Sequence, residues 1–309
     1  MNPSIKFITE FPDTANYYDE ETWYKQHENA CVIVNCFSSG IYYPEHWTPL
    51  SIKCVCRGKE YYKFKDLTYA VNDDNFLLLN EGKIYESYIN SVSVTESLSL
   101  NFTRKNIEDL CAFVFCNEVS LLDDPGKKAT SGLKVFEKLY PHNFKTYSYL
   151  HSIRKYRNSN NTNANHLLET LYLFLEEIIK LNNITSNEID DIQAKKRVTR
   201  EELYKRLHTA KDYIQSCYHE DISLDSLSKI CYLNPFHLLR EFKKYFKTTP
   251  HKYLTSVRLK EAKKIIEHTD KSITDAVTEI GFEDLSSFSR LFKTYYGVSP
   301  QHYRRSINA

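Results

Sequence analysis

Two stretches of this chain, fifty positions apart, follow one plan, and no other feature limits its architecture as strongly. FHLLREFKKYFKTTP occupies 236–250 and SSFSRLFKTYYGVSP occupies 286–300. They agree at Arg240 and Arg290, Phe242 and Phe292, Lys243 and Lys293, Tyr245 and Tyr295, and Pro250 and Pro300. The punctuation repeats as well. Ser223 is placed to cap a short helix from Leu224 to Tyr232, and Ser272-Ile-Thr-Asp275 is a capping-box pattern that opens its counterpart. Asn234-Pro235 opens a helix through Phe246, while Asp284 caps one through Tyr296 that Gly297 stops. Each copy therefore reads as a short helix, a tight turn and a second helix. A further helix, Glu201–Cys217, precedes the first copy, and a long one from Pro250 to about Thr269 joins the two.

That arrangement is the helix-turn-helix unit, whose second helix can lie in a DNA major groove. Inside the second helices, Leu238 and Phe242, like Phe288 and Phe292, are four apart and face a core. Arg240 and Arg290 point elsewhere, with Lys243, Lys244 and Lys293 further along. An arginine can bond both acceptors of a guanine edge, and a lysine serves a phosphate. A solvated basic face is the usual reading of one such helix; two helices with the same basic positions argue against it. A linking helix of about 16 to 19 residues spans roughly 24–28 Å, enough to set two readers about one DNA turn apart. Charge agrees in sign: from Arg200 onward there are 19 Lys and Arg against 14 Asp and Glu, and before it 22 against 26.

The front of the chain reads differently. Short runs rich in Val, Ile, Tyr and Phe at 31–37, 51–57, 60–65, 75–80, 83–90 and 94–102 predict an antiparallel sandwich or barrel. Residues 103–151 give no clear period, Asp-Asp-Pro-Gly at 123–126 predicts a turn, and the polar run 157–165 predicts a loop. A helix is expected at 166–181, with Leu168, Leu171, Leu175, Ile178 and Ile179 on one side, either packed on the β domain or forming a dimer seam. The expected division is 1–181, a linker at 182–199, and 200–309, and the fold class is α+β. The eight cysteines sit mostly in apolar runs without zinc spacing, so reduced, buried thiols are expected and no metal or cofactor is. No charged-then-apolar leader and no apolar run of about 18 residues is present, so a cytoplasmic location with no membrane contact is expected.

The stretches GFEDLSSFSRLFKTYYGVSPQHYR (281–304) and RLKEAKKIIEHTDKSITDAVTEIGF (258–282) closely resemble the DNA-binding domain of the AraC/XylS family of bacterial transcription regulators. The resemblance covers about 200–305. It implies that Phe236, Leu239 and Arg240 in the first reader, and Ser286, Ser287, Ser289 and Arg290 in the second, face bases, with His237 among them. It also implies promoter double-stranded DNA and RNA polymerase as partners, a homodimer, and activation more often than repression. An architectural binder that only dimerises is the alternative. Four positions depart from the family pattern: Lys247 stands where Gly297 stands in the second copy, Tyr232 where Gly281 does, and Ser228 and Val277 replace a customary alanine. Phe236 and Leu239 are apolar, which suits a thymine methyl better than a hydrogen-bonding edge.

Longer members of that family carry a cupin-like barrel in front that senses a small molecule or dimerises, and 45–86 loosely resembles it. His46 and Tyr61 are the expected contacts to an effector, with the aromatic residues Tyr42, Tyr43, Trp47, Tyr62 and Tyr69 either lining a pocket or packing a core. A metal-using cupin needs a His-x-His pair and a distant third histidine, but Glu45-His46 stands alone, so no catalysis is expected. An alkylation-repair enzyme with the same DNA module would need a reactive cysteine in Pro-Cys-His, which this chain lacks.

Overall fold

The computed structural model describes residues 4–11, 20–27, 30–65, 67–107, 133–158 and 164–307. The chain divides into two compact units, Met1–Gln193 and Ala194–Ala309. The first holds β1 (Ser4–Ile8), α1 (Glu20–His27), β2 (Ala30–Thr48), β3 (Leu50–Arg57), β4 (Lys59–Phe64), β5 (Leu67–Asn72), β6 (Asn75–Leu79), β7 (Lys83–Phe102), β8 (Leu139–Pro141), α2 (Phe144–Asn158) and α3 (Ala164–Asp190).

The strands form one sheet in the order β1-β2-β7-β3-β6-β8, and β4 joins β7 and carries β5. All pairs are antiparallel except β1 with β2. The long strands β2 and β7 pair along their whole length, so both halves of the sheet hang on them. The run at 31–37 therefore continues to Thr48, and 83–90 and 94–102 are one strand. Register shifts at Ser38/Gly40 and Tyr43/His46 explain the discrepancy. The irregularities leave Ser39 and Pro44-Glu45 out of register, so the strand continues past Gly40 and Pro44, residues that otherwise signal a strand's end. At the β3–β4 turn Gly58 has φ +90, and a Cβ there would lie 2.4 Å from Thr95 Oγ1, so the strands cross too closely for any side chain.

Alternation along the strands gives the sheet two different faces. On one, Ile33, Ile52, Cys54, Phe76, Leu98 and Leu100 pack against Leu150 and Ile153 of α2 and Leu171, Phe174, Leu175 and Ile178 of α3. Each such buried side chain contributes about 1.5–3 kcal/mol. The helix expected at 166–181 thus covers the sheet rather than forming a seam, and it runs on to Asp190. Residues 182–190 of the expected linker are helical, because Ile189 continues the buried stripe. The other face holds Val55, Tyr62, Tyr69, Val71, Leu77, Leu79 and Tyr85. Two ionisable groups are sunk among them. Lys53 Nζ donates to Ser99 Oγ at 2.9 Å, and Ser97 Oγ donates to Glu60 Oε2 at 2.6 Å. Burial pushes the Glu60 carboxyl up.

Helix α2 falls where the sequence shows no clear period, and the predicted turn at 123–126 and most of the loop at 157–165 lie outside the described residues. Cysteines 31, 36, 54, 217 and 231 are buried and unbridged, and Cys56 is half-buried. Burial pushes the Cys31, Cys36 and Cys56 thiols up to about 12, which leaves them poor nucleophiles. Among the described residues no group of three or more His, Cys, Asp or Glu is placed to hold a metal ion, and no helix is long and apolar enough to cross a membrane.

The second unit is helical: α4 (Arg197–Ser216), α5 (Leu224–Ile230), α6 (Pro235–Phe246), α7 (Pro250–His268), α8 (Ile273–Glu279), α9 (Leu285–Tyr296) and α10 (Pro300–Ile307). Helix α4 starts four residues before the expected Glu201, and α5 ends at Ile230, since Tyr232 leaves helical space with φ 52. Two cores form. Leu207, Ile214, Leu227, Leu238, Phe242 and Leu254 make the first, and Leu259, Ala262, Ile266, Val277, Phe288 and Phe292 make the second. Helix α7 belongs to both, giving Leu254 to one and Leu259, Ala262 and Ile266 to the other.

Candidate nucleic-acid interface

Each reading helix starts at a defined point. Asn234 Oδ1 accepts from the Phe236 amide at 3.0 Å. Asp284 accepts from the amides of Ser286 at 3.1 Å and Ser287 at 2.7 Å. The Ser287 hydroxyl and these amides hold the Asp284 carboxyl below the usual carboxylate range. With the first turn pinned, the core positions Leu238, Phe242, Phe288 and Phe292, all completely buried, set the rotation of both helices.

The same pattern results twice. Positions 236 and 286 are exposed, 237 and 287 half-buried, 238 and 288 buried, 239 and 289 half-buried, and 240 and 290 exposed. At about 100° per residue, Phe236, Leu239, Arg240 and Lys243 share an arc of roughly 100°, as do Ser286, Ser289, Arg290 and Lys293. The structure thus brings these eight onto two matching stripes. His237 and Lys244 sit on the flank of the first stripe and Ser287 on that of the second. All three lysines are exposed.

The two arginines differ in their neighbours. Arg240 Nε donates to Glu241 Oε1 at 2.9 Å, and His237 Nε2 lies 3.7 Å from the same oxygen. Leu291 occupies the matching place beside Arg290.

What holds the two stripes in one relation was not visible in the sequence. Arg258, midway along α7, donates through Nε to Tyr218 O at 2.7 Å and through Nη2 to Glu220 O at 2.8 Å, both carbonyls in the loop after α4. Its guanidinium also lies 5.7 Å from the Phe282 ring of the second copy. Gly281, with φ +79, rests against the same loop. One side chain on the linking helix therefore ties the first copy's loop to the second copy's turn.

Both departures from glycine are accommodated in left-handed backbone. Tyr232 has φ 52 and Lys247 has φ 58, matching Gly281 and Gly297. Arg206 Nη1 donates to Tyr232 O at 2.6 Å and steadies that turn. A non-glycine residue in this region is strained by about 1–2 kcal/mol, partly offset by the entropy glycine adds to the unfolded chain. Lys247→Gly is accordingly expected to stabilise the chain by about 0.5–1 kcal/mol, read as a higher urea midpoint with an unchanged slope.

The expected effector contacts do not meet. His46 faces Tyr85, with rings 4.3 Å apart, and its Nδ1 lies 2.9 Å from Pro44 O. Burial pushes its imidazole down to about 4, so it is neutral at physiological pH. Tyr61 stacks on Tyr88 at 4.9 Å. Tyr85 and Tyr88 are three residues apart on a regular stretch of β7, so they point to opposite faces. His46 and Tyr61 therefore lie on opposite sides of the sheet and do not line one pocket. Lys53 and Glu60, which no spacing in the sequence singles out, are the ionisable groups sunk in the His46 side.

A family model described as a helix-turn-helix domain matches residues 227–306. Among curated proteins, the raffinose operon transcriptional regulatory protein RafR of Pediococcus pentosaceus is 32% identical over 103 residues, covering 33% of this chain and 37% of that protein. The transcriptional activator RhaS of Enterobacter sp. is 31% identical over 104 residues, 34% of this chain and 37% of the relative. The Msm operon regulatory protein of Streptococcus mutans is 27% identical over 190 residues, 59% of this chain and 65% of the relative. The chain spans less than two thirds of the length of these relatives. Among solved structures, the C-terminal domain of AraT from Geobacillus stearothermophilus is 28% identical with a TM-score of 0.32, over 33% of this chain and 84% of that one.

Proposed function

We propose, given that this chain belongs to the AraC family of transcription regulators through its C-terminal helix-turn-helix domain, that it binds promoter DNA by seating α6 and α9 in consecutive major grooves. The observation that carries this is the repeated stripe: the same five positions have the same exposure on two helices tied together through α7. Arg240 and Arg290 read base edges, and Lys243, Lys244 and Lys293 meet phosphates. The first unit supplies a signal or a dimer contact. An effector would be held on the sheet face that carries His46, Lys53 and Glu60. Regulation is by activation, with RNA polymerase as the downstream partner.

The test is selection of binding sites from a randomised duplex pool by the full chain, repeated with Arg240→Ala and Arg290→Ala. The expected outcome is a motif about two turns long in which each variant loses preference at one half, by about 1–3 kcal/mol per base pair. Indiscriminate binding whose strength follows salt alone would overturn the reading.

A further inference from the structure

We infer that the two readers work by different chemistry: the first recognises thymine by its 5-methyl group through Phe236 and Leu239, and the second recognises bases by hydrogen bonds through its serines. This rests on the proposal that both helices contact bases.

The matched exposure pattern means that the difference between the readers is one of side-chain type, not of placement. Phe236 is 82% exposed, so its ring contributes little to the fold, and a large apolar group left in water at the start of a reading helix calls for an apolar partner. The thymine methyl is the apolar group that a major-groove base edge offers. Ser286, at the equivalent place, offers a hydroxyl that donates and accepts.

The apolar character continues behind the stripe. Leu239 lines a cavity of about 290 Å³ with Ile222, Leu224, Leu227 and Leu254. In the second copy the equivalents of Ile222, Leu239 and Leu254 are Lys271, Ser289 and Arg304, and Arg304 Nη1 donates to Lys271 O, so that copy presents polar groups where the first presents hydrocarbon.

The guanidinium beside Phe236 is also less available. Glu241 engages the Nε edge of Arg240 at 2.9 Å, and reading a guanine with both donors of that edge would require breaking this bond. The first reader therefore adds its hydrocarbon to what Arg240 reads with its remaining donors, while Arg290 has Leu291 in place of that carboxylate.

The test uses the full chain and a duplex chosen from a randomised pool, with halves assigned by which of Arg240→Ala and Arg290→Ala alters preference there. Each thymine is then replaced singly by deoxyuridine, which removes only the methyl, and affinity is read by fluorescence anisotropy at one salt concentration. In the Arg240 half, one or two replacements should weaken binding about four-fold each, the worth of a buried methyl. In the Arg290 half the change should stay below about two-fold. The exposed substitution Phe236→Ser should erase the difference between thymine and deoxyuridine without unfolding the chain. Equal binding of thymine and deoxyuridine throughout, while the arginine variants still lose their halves, would overturn the inference and leave base reading intact. Failure to select any motif would overturn both.

Discussion

Phe292→Ala is expected to destabilise the second reader by about 3–5 kcal/mol, the range for emptying a buried aromatic site. Phe292 is wholly buried, and its ring lies 5.5 Å from Phe288, 4.6 Å from Tyr296 and 5.9 Å from Tyr303. These partners come from α9 and α10, so the void would sit where the reading helix meets its support and could not close by one side chain's movement. Set against the 5–15 kcal/mol typical of a domain, the loss is large. Amide hydrogen exchange in the full chain should show protection lost first over 273–307, with the strands of the first unit unchanged. DNA preference should vanish at the Arg290 half. Retained protection across α9 would mean that the second core is not what holds the reader in place.

Gly281→Ala should weaken the same unit by about 2–5 kcal/mol, combining left-handed strain with overpacking. A Cβ there would lie 2.5 Å from His219 O and 2.9 Å from His219 C, both backbone atoms that cannot swing aside, and 3.0 Å from Arg258 Nη2. The methyl group would therefore push apart the contact that sets one reader against the other. Two readouts separate strain from displacement. Urea unfolding reports the destabilisation. Affinity for isolated halves and for the complete motif reports geometry: binding to the complete motif should fall further than binding to either half. If the complete motif weakens only as much as the halves, this glycine does not control the relation between the readers.

The helical unit was legible because its stops and starts are chemical. Ser223, Asn234, Ser272 and Asp284 all cap as the sequence suggests. Leu238 with Phe242 and Phe288 with Phe292 are the buried pairs that their spacing predicts. The β unit was harder because β2 runs through Gly40 and Pro44, and only pairing with β7 keeps it a strand. Helix α2 has no clean period, since Phe144 and Tyr147 are exposed while Leu150 and Ile153 are buried. Residue type alone groups His46 with Tyr61, but the face each occupies depends on a bulge and on partners far away in sequence. Arg258 looks like one more basic residue of a long helix; its partners are carbonyls, which carry no sequence signal.

Because α7 belongs to both cores and Arg258 clasps the loop beside it, the proposed docking of one reader would deliver the other at a very high local concentration. In that mode the second contact would be nearly unimolecular, and the affinities of two modest half-sites would multiply. The same rigidity would make that binding mode sensitive to helical phase. One inserted base pair turns the second half about 34–36° around the duplex axis, and a clasped pair of readers has no slack with which to follow it.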